Sequence, residues 1–336
     1  MLKSKRTNYK KPRKEPVNQK KTFFTKENLF ISRMASILMV PKPMIMGIFS
    51  SRAITTIRLN PLKGNVEATK RALEEKEYKL QEIPWAKNCY YVLNYDKSEV
   101  SQSLEYQDGK FYIQNLSSIL DSLVLDPQEG EYVLDMCAAP GSKTTHIAAL
   151  MNNKGKILAN DVDMSRVSSL KNVLYQFGAK NAKATYSDSS EFGKKYPEYF
   201  DRVLLDAPCS GEGMIYMNSQ KPLRFWGLDK IKRNSFLQKD LIISAFRTLK
   251  TGGTLVYSTC TLEPEENEGV ITFLLQHFPN ATVEDIDIDL AGEKGFTSKG
   301  ITKWSGNTFD PAVKKTLRVI PNSKMMGFYI AKIKKN

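Results

Sequence analysis

Two cysteines sit where a thiol could act as a nucleophile. Cys209 lies in a turn between Pro208 and Ser210, three residues after Asp206, and Cys260 lies in the polar run Ser258-Thr259-Cys260-Thr261. Structural cysteines usually sit within apolar segments, and these two do not. A reactive cysteine needs a polar or electropositive setting that favours the thiolate. For either thiol alone, a half-buried inert role is an equal alternative. Two of them at matched positions, each after a predicted strand, point instead to covalent chemistry.

A second constellation could hold the other reactant. Tyr132 to Thr145 reads YVLDMCAAPGSKTT. Val133, Leu134 and Asp135 make a short buried strand. The small residues Cys137, Ala138, Ala139, Pro140, Gly141 and Ser142 form a turn, and a helix pattern starts near Lys143. Strand, tight turn and helix N-terminus make a nucleotide or anion site, because backbone N–H groups and the helix dipole point at the ligand. It is neither GxGxxG nor a phosphate-binding P-loop, since no Gly precedes Lys143. A small-residue turn made only for close packing is the plain alternative. Asp161, Asp188 and Asp206 each follow a further predicted strand. Asp161 stands where such sites place an acid for ribose hydroxyls. Asp188 could accept from an adenine amino group. For any one of these acids a helix N-cap is an equal reading, but several on one edge are harder to dismiss.

The elements that must position these groups alternate. Strands are predicted at 133–135, 156–160, 182–186, 201–205 and 254–257, with helices at 164–177, 231–249 and 265–277. That alternation predicts an α/β, doubly wound, mostly parallel sheet of Rossmann-like type, with ligands outside the carboxyl ends of its strands. Ahead of it, residues 22–105 read as a small α+β unit: a strand at 54–59, a helix at 66–80 and a strand at 90–93. Its interleaved aromatic and basic residues permit stacking on unpaired bases. Residues 1–21 are dominated by Lys and Arg and read as a disordered basic tail, with a phosphate-neutralising arm placed ahead of a solvated tail or an address signal. The catalytic domain is then expected over 106–336.

The chain has 336 residues, a formal net charge of +14 and a pI near 9.4. That charge suits a polyanion, nucleic acid before an acidic membrane surface. Four cysteines without CxxC spacing and only two histidines argue against a zinc cluster or other metal site, and against a disulfide framework, so a reducing compartment is expected. The basic N-terminus has no apolar signal core. Ala35 to Phe49 is broken by Pro41, Lys42 and Pro43 and is too short to cross a bilayer. No membrane role is expected.

DMCAAPGSKT, Asp161, DAPCSGEG and GGTLVYSTCTLEPEENE together resemble the Sun family of RNA cytosine-5 methyltransferases, which includes the RsmB and RsmF types. The SGEG and TLEPEENE variants look closest to the RsmF type. The resemblance runs from about Tyr112 to the C-terminus, and more weakly back to about residue 22. It implies a class I methyltransferase fold that binds S-adenosylmethionine, preceded by an RNA-recognition-like unit. It implies that Cys137 to Lys143 wrap the cofactor, that Asp161 holds its ribose and that Asp188 lies by its adenine. Asp206 would lie where cofactor and target base meet. Cys260 would be the nucleophile, and Cys209 would assist release of the methylated RNA. Gln114 to Ser118 match a family motif that precedes the cofactor strand.

The chemistry so implied solves a definite problem. Carbon 5 of cytosine is a poor nucleophile. A thiolate added to carbon 6 makes the ring an enamine, whose carbon 5 can attack a sulfonium methyl. Asp206 beside ring nitrogen 3 would offset charge that builds during addition. The base must leave its stack to reach the pocket. Small-subunit ribosomal RNA is the first expected target and transfer RNA the second. A monomer in the cytoplasm is expected, or in the nucleus or nucleolus of a eukaryote. Two other classes stay open from the residues: a non-catalytic RNA-binding assembly factor, and a nicotinamide-dependent oxidoreductase, which would need the missing glycine fingerprint.

Overall fold

The computed structural model describes residues 19–290 and 296–336. The basic tail read over 1–21 falls outside the described residues up to residue 18. Its last three positions open the helix Gln19–Leu38.

A four-stranded antiparallel sheet forms from β1 (Thr56–Leu59), β2 (Leu80–Glu82), β3 (Cys89–Val92) and β4 (Phe111–Ile113), in the order β2-β3-β1-β4. The small sheet therefore runs past the 105/106 boundary read from the sequence. Every residue of β1 and β3 is buried. The helix Val66–Glu75 is capped by Asn65, whose side chain accepts from Ala68 N. The expected helix to residue 80 is shorter in fact. Glu77 takes a positive φ of 64° and Leu80 begins β2.

The main sheet contains β5 (Tyr132–Asp135), β6 (Lys156–Asp161), β7 (Ala182–Tyr186), β8 (Phe200–Asp206), β9 (Leu249–Thr259), β10 (Ala281–Glu284) and β11 (Thr297–Lys299). A two-residue ladder, β12 (Lys303–Trp304) with β13 (Asn307–Thr308), stands apart. The strands β14 (Leu317–Val319) and β15 (Phe328–Lys335) return to the main sheet, whose order is β11-β14-β15-β9-β8-β5-β6-β7, with β10 against β15. Strands β9, β8, β5, β6 and β7 are parallel, as expected. The pairing of β15 with β9, and of β14 and β10 with β15, is antiparallel and was not foreseen. The chain runs outward from β5 to β7, then crosses back to β8 beside β5. The reversal leaves a crevice at the carboxyl ends of β5 and β8, where ligands bind in open α/β sheets. Apolar clusters cover both faces: Val133, Ile147 and Leu170 lie in one, Leu134, Val203 and Phe246 in the other. A parallel sheet buried on both faces reads as continuous apolar runs, which is why those strands were legible.

The segment ahead of β1 departs from expectation. The helices Gln19–Leu38 and Lys42–Ile48 do not join the small sheet's core. Phe30, Met34, Ile37, Ile45 and Phe49 pack on Met217, Leu223, Trp226 and Leu262 of the catalytic part. Phe30 meets Phe49 and Trp226 edge-on, with ring centroids 5.1 and 5.2 Å apart. Arg33 secures the contact from its Nε to Glu263 (2.6 Å) and from its Nη2 to Glu265 (2.6 Å). The small sheet is fixed separately. Buried Arg58 in β1 donates to Gln114 Oε1 (2.9 Å) and to Thr145 Oγ1 (3.1 Å) in the helix after the 137–142 turn.

Candidate active site

The turn after β5 forms because its residues are small and one of them is Gly141. Gly141 has φ 113° and caps the helix Ser142–Leu150. A Cβ there would lie 2.9 Å from Leu170 Cδ1. Close packing against the next helix thus accounts for the glycine itself. The first N–H groups of a helix have no partner within it, so the Ser142 end faces the crevice with donors. Ala138 N is used on Asn160 O (2.7 Å), and Ala139 N points to Asp161 Oδ2 (3.3 Å).

Asp161 is buried at the end of β6. Its Oδ1 accepts from Asp163 N (3.1 Å), and Arg166 Nη2 lies 3.3 Å from Oδ2 while also donating to Ala139 O (2.7 Å). Asp161 therefore shapes the turn as well as standing at the expected ribose position. Asp188 is exposed, and its Oδ1 accepts from Ser190 N (2.9 Å) and Ser190 Oγ (2.8 Å). The N-cap reading is realised at Asp188.

Cys137 is half-buried, and its thiol is held well above the ordinary range, by burial first and then by Asp206, Asp135 and Asp161. Three carboxylates around one point make this crevice electronegative within a basic protein. Asp135 Oδ2 accepts from Thr144 Oγ1 (2.6 Å), while its Oδ1 is buried without a partner. Burial pushes Asp135 up to about 7. An acid-lined crevice with an unspent buried oxygen and free helix N–H groups fits a nucleoside that carries a sulfonium cation. Asp161, Asp206 and the 137–142 backbone are the groups that would hold it.

Lys143 departs from the cofactor-wrapping expectation for its side chain. The ammonium is buried between two carboxylates, 2.6 Å from Asp206 Oδ2 and 3.1 Å from Asp121 Oδ2. Those acids hold it well above the usual lysine range against the cost of burial. Asp121 went unforeseen. It sits fully buried in the helix Leu116–Leu125, and burial raises it to about 7. The available signal was one acid inside the apolar run LSSILDSLVL.

The cysteines converge. Cys209 follows β8 and Cys260 follows β9, strands paired with Asp206 opposite Ser258. Their sulfurs are 3.0 Å apart. The Cys209 thiol is pushed well above its ordinary range, by its contact with Cys260 first and by burial second. The expectation of a thiolate-favouring setting thus fails at Cys209, which lies near the carboxylates of Glu266 and Asp206. A protonated Cys209 can donate to the Cys260 sulfur.

Behind the pair lies a buried network. Ser210 Oγ bonds Glu212 Oε2 (2.6 Å), Thr261 Oγ1 (3.0 Å) and Glu266 Oε1. Thr261 also donates to Glu212, and Glu266 Oε2 accepts from Ser210 N (3.0 Å) and Gln238 Nε2 (2.7 Å). Burial, and then Glu212, raise Glu266 to about 8. The residue after each cysteine is thereby tied to the Glu212 carboxyl group, and Ser210 to Glu266 as well. Glu212 and Glu266 stood in the motifs read from the sequence, where no role was given to them.

Residues 122–334 match the family described as 16S rRNA methyltransferase RsmB/F, and residues 27–116 match the N-terminal domain of 16S rRNA methyltransferase RsmF. The chain is 45% identical over 282 residues to a tRNA (cytosine(49)-C(5))-methyltransferase of Pyrococcus abyssi, covering 83% of this chain and 88% of that protein. It is 38% identical over 287 residues to the ribosomal RNA small subunit methyltransferase F of Aliivibrio salmonicida, covering 84% of this chain but 58% of that longer protein. Among solved structures, a methyltransferase homolog protein from Pyrococcus horikoshii superimposes with TM-score 0.79 at 32% identity, covering 94% of this chain and 99% of that one. NSun6 from Pyrococcus horikoshii with SFG shares the fold, with TM-score 0.72, 24% identity and coverage of 93% and 97%.

Proposed function

Because the chain belongs to the RsmB/F family of 16S rRNA methyltransferases, we propose that Cys260 is its nucleophile, Cys209 its release thiol and Asp206 its base-binding acid. The enzyme is an S-adenosylmethionine-dependent RNA cytosine-5 methyltransferase. The observation that carries the role assignment is the 3.0 Å approach of the two sulfurs at the ends of adjacent strands.

Each residue then does something definite. Cys260 adds to carbon 6 of an unstacked cytosine, which makes carbon 5 nucleophilic. S-adenosylmethionine supplies the electrophilic methyl group. Lys143 fixes Asp206 beside the cysteine pair, where the carboxyl group can hydrogen-bond the pyrimidine edge. After transfer the carbon 5 proton must leave and the sulfur–carbon 6 bond must break. Loss of that proton to solvent water re-forms the carbon 5–carbon 6 double bond and expels the Cys260 thiolate, to which Cys209, 3.0 Å away, gives its proton.

We put transfer RNA ahead of the small-subunit ribosomal RNA that the sequence motifs put first. The Pyrococcus abyssi relative is the more similar of the two compared, and nearly its whole length is matched. Small-subunit ribosomal RNA is the second reading, favoured by the match of residues 27–116 to an RsmF N-terminal domain. Bisulfite sequencing of total RNA from cells with and without the gene separates them. Loss of a 5-methylcytosine in transfer RNA supports the first, and loss in small-subunit RNA the second. No lost site in either defeats both. Among the described residues, no single helix is long and apolar enough to cross a membrane.

A further inference from the structure

A cleft of about 370 Å³ opens between the small sheet and the loop that follows Cys209. Its lining contains neither Cys209, Cys260 nor any residue of the 137–143 turn. Arg52, Ile54, Lys97, Met214, Tyr216 and Met326 are among the residues that line it. Arg52 and Lys97 are exposed cations, while Met214 and Met326 are exposed thioethers. The Arg52 guanidinium lies over the Tyr216 ring, 4.4 Å from its centroid.

This wall is coupled to the nucleophile. Gly213 N donates to Cys260 O (2.9 Å), and Gly327 N donates to Gly213 O (3.2 Å). A Cβ on Gly213 would lie 1.9 Å from Gly327 O, so the two backbones meet only because residue 213 is glycine. The far side is equally tied: Met217 N donates to Phe49 O (2.8 Å) and Ser50 Oγ to Asn218 Oδ1 (3.2 Å). Whatever occupies the cleft sits at a fixed offset from the reacting sulfur.

We propose that this cleft is a subsite for one unstacked nucleotide neighbouring the target cytosine in the RNA, held by stacking on the Tyr216–Arg52 pair. The inference rests on the RNA cytosine-5 methyltransferase reading above. Three features select this occupant. The volume falls at the small end of ligand pockets, enough for a single nucleotide. Aromatic and guanidinium planes are the stacking platforms that single-stranded nucleic acid uses. Arg52 and Lys97 supply positive charge at the mouth, which complements the flanking phosphates. Part of the side-chain amide surface of the lining is already engaged. Gln114 Oε1 accepts from Arg58, Asn115 Oδ1 from Ser117 N, and Asn322 Nδ2 donates to Ile320 O. The subsite therefore needs a base but reads its identity weakly, because stacking works with any base.

The test uses the full chain and an RNA transcript that it methylates, with an abasic residue placed in turn at each position flanking the methylated cytosine. Tyr216→Ala is expected to raise KM for the RNA about tenfold with kcat within about twofold. Tyr216→Phe, which keeps the ring, is expected to restore KM. One abasic position should cost about as much as Tyr216→Ala, and the two changes together no more than either alone. Exchanging the base at that position should matter little. Unchanged KM in a folded Tyr216→Ala protein, or additive costs at every flanking position, overturns the subsite. If the wild-type chain transfers no methyl to cytosine in any fraction of total RNA, the enzymatic reading itself has failed, and the subsite falls with it.

Discussion

The sulfurs of Cys209 and Cys260 lie 3.0 Å apart although the residues are 51 positions apart in the sequence. Two parallel neighbours, β8 and β9, end level with each other and bring the thiols together. If Cys260 is the nucleophile, Cys260→Ala abolishes methyl transfer while binding of S-adenosylmethionine persists, because the groups proposed to hold the cofactor lie on the 137–142 turn, β6 and Asp206. Tritiated methyl transfer to RNA and a cofactor titration read the two effects separately. Undiminished transfer in this variant would defeat the assignment.

If Cys209 is the release thiol, its removal should leave addition intact and slow departure. Cys209→Ala is expected to accumulate a covalent protein–RNA adduct that survives a denaturing gel. Absence of the adduct, with turnover retained, would remove the release role.

Lys143 is the only described cation within salt-bridge distance of either Asp121 or Asp206. Removing one partner of a buried pair leaves uncompensated charge and costs about 3–5 kcal/mol. Lys143→Met is expected to lower stability at neutral pH by about that amount in urea unfolding. The loss should shrink toward pH 5 as Asp121, already raised to about 7, takes up a proton. A variant as stable as the wild type at pH 8 would show that the pair does not secure this site.

Glu266 binds a proton more tightly in the fold than as a free carboxyl group, its value standing raised to about 8. Between its unfolded value near 4.3 and about 8, the native state holds the extra proton, so stability falls as pH rises through that window. Glu266→Gln keeps a neutral group there and removes one such proton. The pH dependence of unfolding should flatten by about 1.4 kcal/mol per pH unit inside the window. An unaltered slope would mean that Glu266 is not protonated in the native network.

The small sheet docks through Arg58, whose guanidinium burial lowers to about 10. Arg58→Met strips the donors from Gln114 Oε1 and Thr145 Oγ1 and should cost about 1–3 kcal/mol. Hydrogen exchange should show the loss in both β1 and the helix Ser142–Leu150. Protection unchanged in that helix would argue against Arg58 as the tie.

Much of this was open to the sequence, for identifiable reasons. Strands β5, β6 and β8 are apolar runs that end in acids, because a strand covered on both faces must be apolar until it reaches the crevice. The two cysteines stood out because each broke that pattern in a polar run. The antiparallel β14 and β15 escaped notice, because no motif or regular alternation with helices marked them. The helices Gln19–Leu38 and Lys42–Ile48 were assigned to the wrong neighbour. The sequence reading included residues 22–48 in the small α+β unit without naming helices there, and nothing in their spacing says that they pack on Trp226 rather than on β1.

Residue order alone determined the crevice at the strand ends and the identity of the groups that could stand there, since periodicity and terminal acids are local properties. Only tertiary structure decided which of those groups meet. It brought Cys209 to Cys260, turned the Lys143 ammonium toward Asp121 and Asp206, and left Asp188 capping its own turn. Contacts between residues distant in sequence depend on how strands align and helices pack, and no local spacing encodes them.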